Sequence, residues 1–333
     1  MEQDHVGRVG SWRGTHLDGC SQRARARSRV ATHAPVIRRE SAARLAVLMN
    51  TPSAVCLALV LAYPVLYAGY LSLHEVSIRQ LRSGEFPFAG GANFARLFGD
   101  EVFWLSLRHT AVFTGVSVLI EVVIALAIAL IVNEDRVWLG RVTRLLLLVP
   151  WAVPPVVNGL LWSFIFNAQF GYLNRTLYTL GLIQHYVNWL GDPRLALGAV
   201  IVAYVWRTTP FNILLYHAAL QGIPADYYEA AEVDGSSGWT SFWNITLPLL
   251  RPIIAVTLIL RTTFAFMVFD EILAITQGGP GNDTWVAAWY TYRVSFQPPF
   301  NVGLGAASAY VLAFILVLVA IGYVRVVSRR IEY

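Results

Sequence analysis

The sequence predicts an all-α integral membrane protein with six transmembrane helices. Hydrophobic residues make up 56% of the 333 residues and charged residues 14%, whereas soluble domains carry about 25% charged residues. The mean hydropathy of +0.54 agrees with this composition. A helix that crosses a bilayer needs about 20 mainly apolar residues, and six stretches of the chain meet that requirement.

The six predicted spans differ in what interrupts their apolar runs. The first contains no charged residue, and the third contains three prolines. The second, fourth and fifth each carry a charged residue near the middle. In chain order the predicted spans are Leu45–Leu73, Leu105–Val132, Leu145–Phe166, Leu195–Leu220, Pro252–Thr276 and Val302–Val324.

The distribution of arginine predicts the orientation of the spans. All 25 basic residues are arginines. Sixteen of them lie in the two terminal tails and in the loops 133–144 and 221–251, and seven lie in the three loops on the opposite side or, for Arg108, at the adjoining end of the second span. Because cytoplasmic segments are enriched in basic residues, both termini and the 221–251 loop are predicted to be cytoplasmic.

The chain divides into a basic tail, residues 1–44, and a six-span domain, residues 45–333. The tail has few apolar residues and many like charges, so we expect it to be disordered in the cytoplasm. The two cysteines, Cys20 and Cys56, and seven scattered histidines have no ligand-like spacing. The sequence therefore predicts neither a disulfide framework nor a metal site.

The loop between the fourth and fifth spans, residues 221–251, is termed the acidic loop. Pro224 suits the first turn of a helix, Gly235 permits a left-handed turn, and Trp239–Thr246 is expected to form a second short helix at the membrane surface. A basic protein surface is the expected partner; an ordinary amphipathic surface helix is the alternative. The acidic residues of the loop are Asp226, Glu229, Glu232 and Asp234.

The acidic loop resembles the signature of permease subunits in binding-protein-dependent ABC importers. That signature is E-A-A, three residues, G, nine residues, I, one residue and L-P. The resemblance implies a type I importer permease fold in which this loop is a coupling helix that docks on an ATPase subunit, with Glu229 facing a basic residue there. The matching positions are Glu229, Ala230, Ala231, Gly235, Ile245, Leu247 and Pro248.

Other stretches are similar to the carbohydrate-uptake subfamily. They include "FDEILAITQGGPGNDT" from Phe269 and "VWRTTPFNILLYHAALQGIP" from Val205. The chain is similar to the first permease of maltose, trehalose and glycerol-phosphate systems over residues 45–330. This resemblance implies import of a di- or oligosaccharide, with glycerol phosphate or an amino sugar as alternatives.

The same resemblance implies an assembly in the bacterial cytoplasmic membrane. The expected partners are a second homologous permease subunit, a dimer of ATPase subunits, an extracytoplasmic sugar-binding protein and the lipid bilayer, with no nucleic acid. A phosphate-binding Walker A loop requires a lysine, and the chain contains none. We therefore expect no enzymatic activity and no cofactor in this chain, with ATP and Mg²⁺ bound by the partner ATPase.

Three charged residues lie near the middle of predicted spans: Glu121, Arg207 and Arg261. A lone charge at that depth costs at least about 2.5–3.5 kcal/mol and usually faces a bundle interior or an aqueous cavity. Glu121 is therefore expected to pair with Arg207 or Arg261, or the arginines line a cavity and donate to sugar hydroxyls. Asp270 and Glu271 are expected to cap or pair with the outer ends of neighbouring helices.

The resemblance also implies a set of residues around a sugar site in the middle of the membrane. Aromatic members of such a set can stack on the apolar face of a pyranose ring. Carried over by position, the candidate residues are Trp151, Pro155, Tyr204, Arg207, Thr208, Phe211, Arg261, Ala265 and Val268.

Two other classes of membrane protein are less compatible with the residues. A secondary transporter would need internal repeats and ion-coupling carboxylates within its spans, and only Glu121 lies at mid-depth. A membrane enzyme would need a nucleophile–base or metal constellation, and the sequence contains no such pattern.

Overall fold

The computed structural model describes residues 39–133 and 147–328, and the chain divides into two compact units, residues 1–64 and 65–333. Within the described ranges the chain forms helices and turns, with two isolated bridges and no strand. The all-α prediction is confirmed. Most of the basic tail lies outside the described residues, as do positions 134–146 with the arginines counted there.

The helices are numbered in chain order. In the first unit, α1 passes directly into a π-helical turn at Ala58–Ala62. A second π-helical turn, at Phe242–Thr246, lies between α10 and α11. The helices are α1 (Arg39–Leu57), α2 (Tyr63–Ser72), α3 (Ile78–Ser83), α4 (Ala92–Phe98), α5 (Glu101–Asn133), α6 (Pro155–Ile165), α7 (Tyr172–Thr179), α8 (Ala196–Gln221), α9 (Asp226–Val233), α10 (Gly238–Ser241), α11 (Leu247–Phe266), α12 (Asp270–Ile275), α13 (Ala287–Phe296) and α14 (Val302–Ser328).

Five helical segments in the described residues are long and apolar enough to cross a membrane. They correspond to five of the six predicted spans, so the protein is an all-α, multi-pass membrane protein. The exception is the predicted third span. The five segments are Val47–Ser72, Glu101–Asn133, Ala196–Gln221, Gly238–Phe266 and Val302–Arg325.

The predicted third span, Leu145–Phe166, is not a single helix. Residues 147–152 are helical, the chain breaks at Val153 and Pro154, and α6 then begins at Pro155. A residue that precedes a proline is driven away from helical backbone angles, and Pro154 accordingly has φ −57° and ψ 143°. The two consecutive prolines therefore divide this span. Within the described residues five of the six predicted spans are long helices, and the third consists of shorter helical segments.

The predicted fifth span, Pro252–Thr276, is displaced along the chain. The helix starts at Gly238, continues through the π-helical turn and ends at Phe266, after which the chain breaks before α12. The expected separate surface helix at Trp239–Thr246 is therefore wrong, because this segment continues into the span. A π-helical turn changes the local hydrogen-bond pattern, which allows a helix to accommodate a proline such as Pro248.

The centre of the larger unit is formed by α5 and α8, with α11 packed against both. The short helices α6 and α12 pack on each other beside α8. Gly159 of α6 lies against Ala274 of α12 so closely that an added Cβ would overlap the alanine side chain. Asn158 of α6 donates to the carbonyl of Ala203 at 3.1 Å, which fixes α6 against α8.

The end of the bundle opposite the acidic loop is held by buried polar groups. Asn93 of α4 donates to the carbonyls of Ser72 and His74, each at 2.9 Å. Tyr290 of α13 donates to Asp100 at 2.6 Å. Burial and this hydrogen bond both raise the pKa of the Tyr290 hydroxyl above its ordinary value, so Tyr290 remains the donor. These contacts fasten α4 to the end of α2 and α13 to the connection between α4 and α5.

Candidate functional site

A fully buried ion pair joins α5 to α11 near the centre of the bundle. Arg261 donates from Nε to Glu121 Oε2 at 2.5 Å and from Nη2 to Oε1 at 3.0 Å. The side chain of Glu121 is 0% exposed and that of Arg261 is 8% exposed. Such a two-pronged contact is the geometry in which guanidinium and carboxylate groups bind most strongly.

Helix α8 supplies further donors to the same carboxylate. Thr208 Oγ1 donates to Glu121 Oε1 at 2.7 Å, and Asn212 Nδ2 donates to Oε2 at 3.2 Å. Tyr204, Thr208 and Asn212 are spaced by four residues and therefore lie on one face of α8. Tyr204 and Thr208 belong to the candidate residues predicted from the sequence, whereas Asn212 does not, although the same four-residue spacing would have identified it.

A second ion pair joins α8 to α12. Arg207 Nε and Nη2 both donate to Glu271 Oε1, at 3.1 and 2.7 Å. The side chain of Arg207 is 16% exposed and that of Glu271 is 3% exposed. The expectation that Glu271 interacts at the outer ends of helices is wrong, because the break after Phe266 brings α12 beside α8.

Tyr204 lies between the two ion pairs. Its ring is 5.9 Å from the guanidinium carbon of Arg207 and 5.6 Å from that of Arg261. Arg261 Nη2 also approaches the Tyr204 hydroxyl at 3.4 Å. Glu121, Tyr204, Arg207, Arg261 and Glu271 thus form one group, termed the charge cluster. Its two guanidinium and two carboxylate groups have opposite formal charges that cancel.

The remaining candidate substrate residues fall into two groups. Trp151 and Phe211 stack with ring centroids 5.9 Å apart and an interplanar angle of 19°. Trp151 is 49% exposed, and Phe211 and Pro155 are half-buried. In contrast, Ala265 and Val268 are buried and pack in the apolar core with α8 and α12. Within the predicted set, Trp151 and Phe211 therefore form an accessible aromatic pair, whereas Ala265 and Val268 are core residues.

In the acidic loop, α9 ends in a motif that requires glycine. The amide of Ser236 donates to the Ala231 carbonyl at 2.9 Å, and that of Gly235 donates to the Glu232 carbonyl at 3.0 Å. Gly235 has φ +74°, a left-handed conformation that disfavours residues with a Cβ. These are the two hydrogen bonds of the Schellman motif. They explain physically why glycine follows the helix at this spacing.

The residues of the signature lie on two sides of this turn. Glu229 and Ala230 of α9 are exposed, and Ala231 is half-buried. Ile245, Leu247 and Pro248 are half-buried in the long helix that follows. The exposed part of the signature thus lies in α9 and in the turn at Gly235, and the later part anchors the start of the membrane-crossing helix.

Comparison with known proteins establishes the class to which this architecture belongs. The chain belongs to the family described as binding-protein-dependent transport system inner membrane component, which matches residues 121–333. It is therefore a multi-pass inner-membrane permease component of a transport system that works with a binding protein. The family resemblance inferred from the acidic loop is confirmed.

Individual relatives align over most of both chains. The trehalose/maltose transport system permease protein MalF of Thermococcus litoralis is 40% identical over 277 residues, covering 83% of this chain and 90% of the relative. The sulfoquinovosyl glycerol transport system permease protein SmoG of Agrobacterium fabrum is 36% identical, covering 86% and 91%. The sn-glycerol-3-phosphate transport system permease protein UgpA of the same organism is 34% identical, covering 74% and 83%.

A solved structure shares the fold. It is a bacterial ABC transporter involved in import of the acidic polysaccharide alginate, with a TM-score of 0.75 and 24% sequence identity. The match covers 89% of this chain and 98% of the other. The arrangement of helices is therefore that of an ABC importer permease.

Proposed function

We propose that this chain forms one half of the translocation pathway of an ATP-driven importer for a di- or oligosaccharide. A second homologous permease forms the other half, an ATPase dimer supplies the energy, and an extracytoplasmic binding protein delivers the sugar. Both termini and the acidic loop lie in the cytoplasm in this proposal. The relative named for trehalose and maltose transport supports a di- or oligosaccharide substrate.

The observation that carries the substrate class is the neutrality of the charge cluster. Two unpaired arginines would favour an anion such as glycerol phosphate. Here Arg261 is bound by Glu121 and Arg207 by Glu271, at 2.5 and 2.7 Å. Each carboxylate would repel an incoming phosphate and accepts from only two of the five N–H donors of its guanidinium group. An uncharged sugar fits these surroundings better than an anion does.

The accessible aromatic pair provides a surface of the right chemistry for a sugar. Trp151 and Phe211 are stacked and partly exposed. Arg207, which is 16% exposed, is the more accessible of the two arginines. We propose that the sugar packs on the aromatic pair and that Arg207 donates to its hydroxyl groups. Tyr204, Thr208 and Arg261 would then support the site rather than contact the sugar.

The acidic loop is the proposed contact with the ATPase. Its helix α9 presents Asp226, Glu229 and Glu232 on an exposed surface. Carboxylates at a helix N-terminus are favourably placed relative to the helix dipole, so α9 tolerates this charge while it is available to a basic partner. ATP and Mg²⁺ bind to that partner, since this chain has no lysine for a phosphate-binding loop.

The substrate proposal is tested by transport in proteoliposomes. The chain is expressed with the permease, ATPase and binding protein encoded by neighbouring genes, and the purified complex is reconstituted with ATP inside. We expect ATP-dependent uptake of a labelled di- or oligosaccharide and no uptake of labelled glycerol 3-phosphate. Preferred uptake of glycerol 3-phosphate or of an amino sugar would contradict the proposal.

The coupling proposal predicts that Glu229→Lys abolishes transport without preventing membrane insertion. The substitution reverses the charge of an exposed side chain, so the fold is retained while attraction to a basic ATPase surface is lost. Gly235→Pro should have the same effect through loss of the turn after α9. Uptake and membrane content are measured together; uptake near the wild-type rate would exclude this role for the loop.

A further inference from the structure

Two tyrosine–threonine hydrogen bonds connect α9, the long helix Gly238–Phe266 and α8. The hydroxyl of Tyr228, in α9, lies 2.9 Å from Thr246 Oγ1 at the start of the long helix. The hydroxyl of Tyr216, in α8, lies 2.7 Å from Thr257 Oγ1 in α11. Thr246 and Thr257 are 4% and 0% exposed. The bond between Tyr216 and Thr257 is therefore shielded from competing water and stronger than an exposed one, whereas the bond between Tyr228 and Thr246 is partly buried.

The bond between Tyr228 and Thr246 is the specific attachment of α9. The other side chains of α9 are mostly exposed, whereas Tyr228 is half-buried. Among the described residues, this is the one side-chain hydrogen bond that joins Asp226–Val233 to another helix. Movement of α9 relative to the start of the long helix would break it.

Together the two bonds close a frame. The chain runs from α8 through a short connection into α9, Tyr228 joins α9 to the long helix, and Tyr216 joins that helix back to α8. We term this arrangement the loop frame. The long helix is continuous from Gly238 to Phe266, so a displacement at Thr246 is transmitted along its axis.

Helix α11 connects the loop frame to the charge cluster, because it contains both Thr257 and Arg261. Thr257 and Arg261 are separated by four residues, so they lie on the same face of α11. Arg261 is about 22 Å along the helix from Thr246, at about 1.5 Å per residue. The same helix therefore contacts the acidic loop at one position and holds Glu121 of α5 at another.

We propose that Tyr228 and Thr246 form the joint that passes movement of the acidic loop to α11 and so to the charge cluster. Tyr228 is a positioning residue in this mechanism, because it acts through Thr246 rather than on the substrate. Tyr216 and Thr257 keep α8 and α11 moving together. The inference rests on the proposed function, since it requires that an ATPase moves the acidic loop.

The test measures sugar uptake and ATP hydrolysis in the same proteoliposomes, using the complete importer. Tyr228→Phe and Thr246→Val each remove one hydroxyl and preserve the size of the side chain. We expect each to lower the sugar transported per ATP hydrolysed by about two- to tenfold, the factor that corresponds to one hydrogen bond of ordinary strength. The double variant should be no worse than either single variant, because both remove the same bond.

Two control variants separate the joint from a general effect on the loop. Thr246→Ser retains the hydroxyl and should restore the wild-type ratio. Tyr227→Phe alters the exposed neighbour of Tyr228 and should leave the ratio unchanged. Recovery of the assembled complex by size-exclusion chromatography shows whether each variant folds and binds its partners.

Three outcomes would contradict the proposal that Tyr228 and Thr246 form this joint. They are an unchanged ratio in Tyr228→Phe and Thr246→Val, additive effects in the double variant, or equal loss in Thr246→Ser and Thr246→Val. Failure of the proposed function is distinguishable, because the wild-type complex would then show no ATP hydrolysis that responds to the binding protein.

Discussion

The two ion pairs of the charge cluster differ in how completely they are enclosed. Glu121 is fully buried and accepts from Arg261, Thr208 and Asn212. Arg207 is 16% exposed, and both of its donating nitrogens reach a single oxygen of Glu271. The first pair has the character of a structural connection between α5, α8 and α11. The second has a guanidinium that can still meet a substrate.

This difference shows how charges can serve two purposes at a similar depth in the membrane. A buried ion pair is tolerated when its remaining donors and acceptors are satisfied, and the surroundings of Glu121 meet that condition. A partly exposed ion pair needs fewer hydrogen-bond partners from the protein, because water or a ligand can supply the missing ones. The degree of burial therefore distinguishes Arg261, which supports the site, from Arg207, the candidate substrate-binding arginine.

The largest predicted effect is that Glu121→Gln destabilises the protein by about 3–5 kcal/mol, the usual result of leaving a buried charge without its partner. The glutamine keeps the shape of the side chain but leaves Arg261 uncompensated. Glu271→Gln should cost less, about 1–3 kcal/mol, because Arg207 can reach solvent. The measurement is the amount of folded protein that remains after graded heating in detergent.

A compensating variant provides the control for this prediction. Arg261→Gln added to Glu121→Gln removes the uncompensated charge and should restore part of the stability. Equal losses in Glu121→Gln and Glu271→Gln would remove the distinction between the two pairs.

A smaller effect on stability is predicted for Arg207→Gln, which should also impair transport. The loss of one charge-assisted hydrogen bond to the sugar should raise the KM for uptake by about tenfold. Folded yield should fall less than in Glu121→Gln, because the Arg207–Glu271 pair is the less completely buried one, although Glu271 loses its cation. Uptake is measured over a range of sugar-loaded binding protein concentrations.

Arg261→Gln is the matched comparison for Arg207→Gln. It should reduce the yield of folded protein before any change in KM can be measured. An unchanged KM in Arg207→Gln would mean that Arg207 does not contact the substrate.

The smallest predicted effect concerns Tyr204, which separates the pairs. Tyr204→Leu removes the ring that faces both guanidinium groups. The stabilisation of each arginine should therefore fall by about 0.5–1 kcal/mol. Tyr204→Phe keeps the ring and should have a smaller effect. A double-mutant cycle between Glu121→Gln and Glu271→Gln, repeated with Tyr204→Leu, measures whether the ring couples the pairs; an unchanged interaction energy would show that they act independently.

The parts of this structure that sequence could predict are those with a local physical signal. Apolar runs of membrane length predicted five observed helices, and glycine and proline at fixed spacing indicated the turn after α9. The adjacent Pro154 and Pro155 also carried a signal for the break before α6. The flanking residues are strongly apolar, however, and they favour a continuous span in spite of these two prolines.

Other features have no local signal. The chain breaks between Phe266 and Asp270 without a glycine or a proline, and this break determines that Glu271 meets Arg207. The break and the ion pair depend on packing between segments that are distant in sequence. The charges near the middle of the spans were recognisable from sequence, but two arginines and several acids allow more than one pairing.

The contact of Gly159 with Ala274 makes the electrostatics of the membrane interior depend on a position that carries no charge. Because α6 and α12 are in contact at this glycine, a methyl group there would force the two short helices apart. The carboxylate of Glu271 in α12 would then move away from the guanidinium group of Arg207. The strength of the ion pair between Arg207 and Glu271 therefore depends on the small size of an uncharged residue outside it.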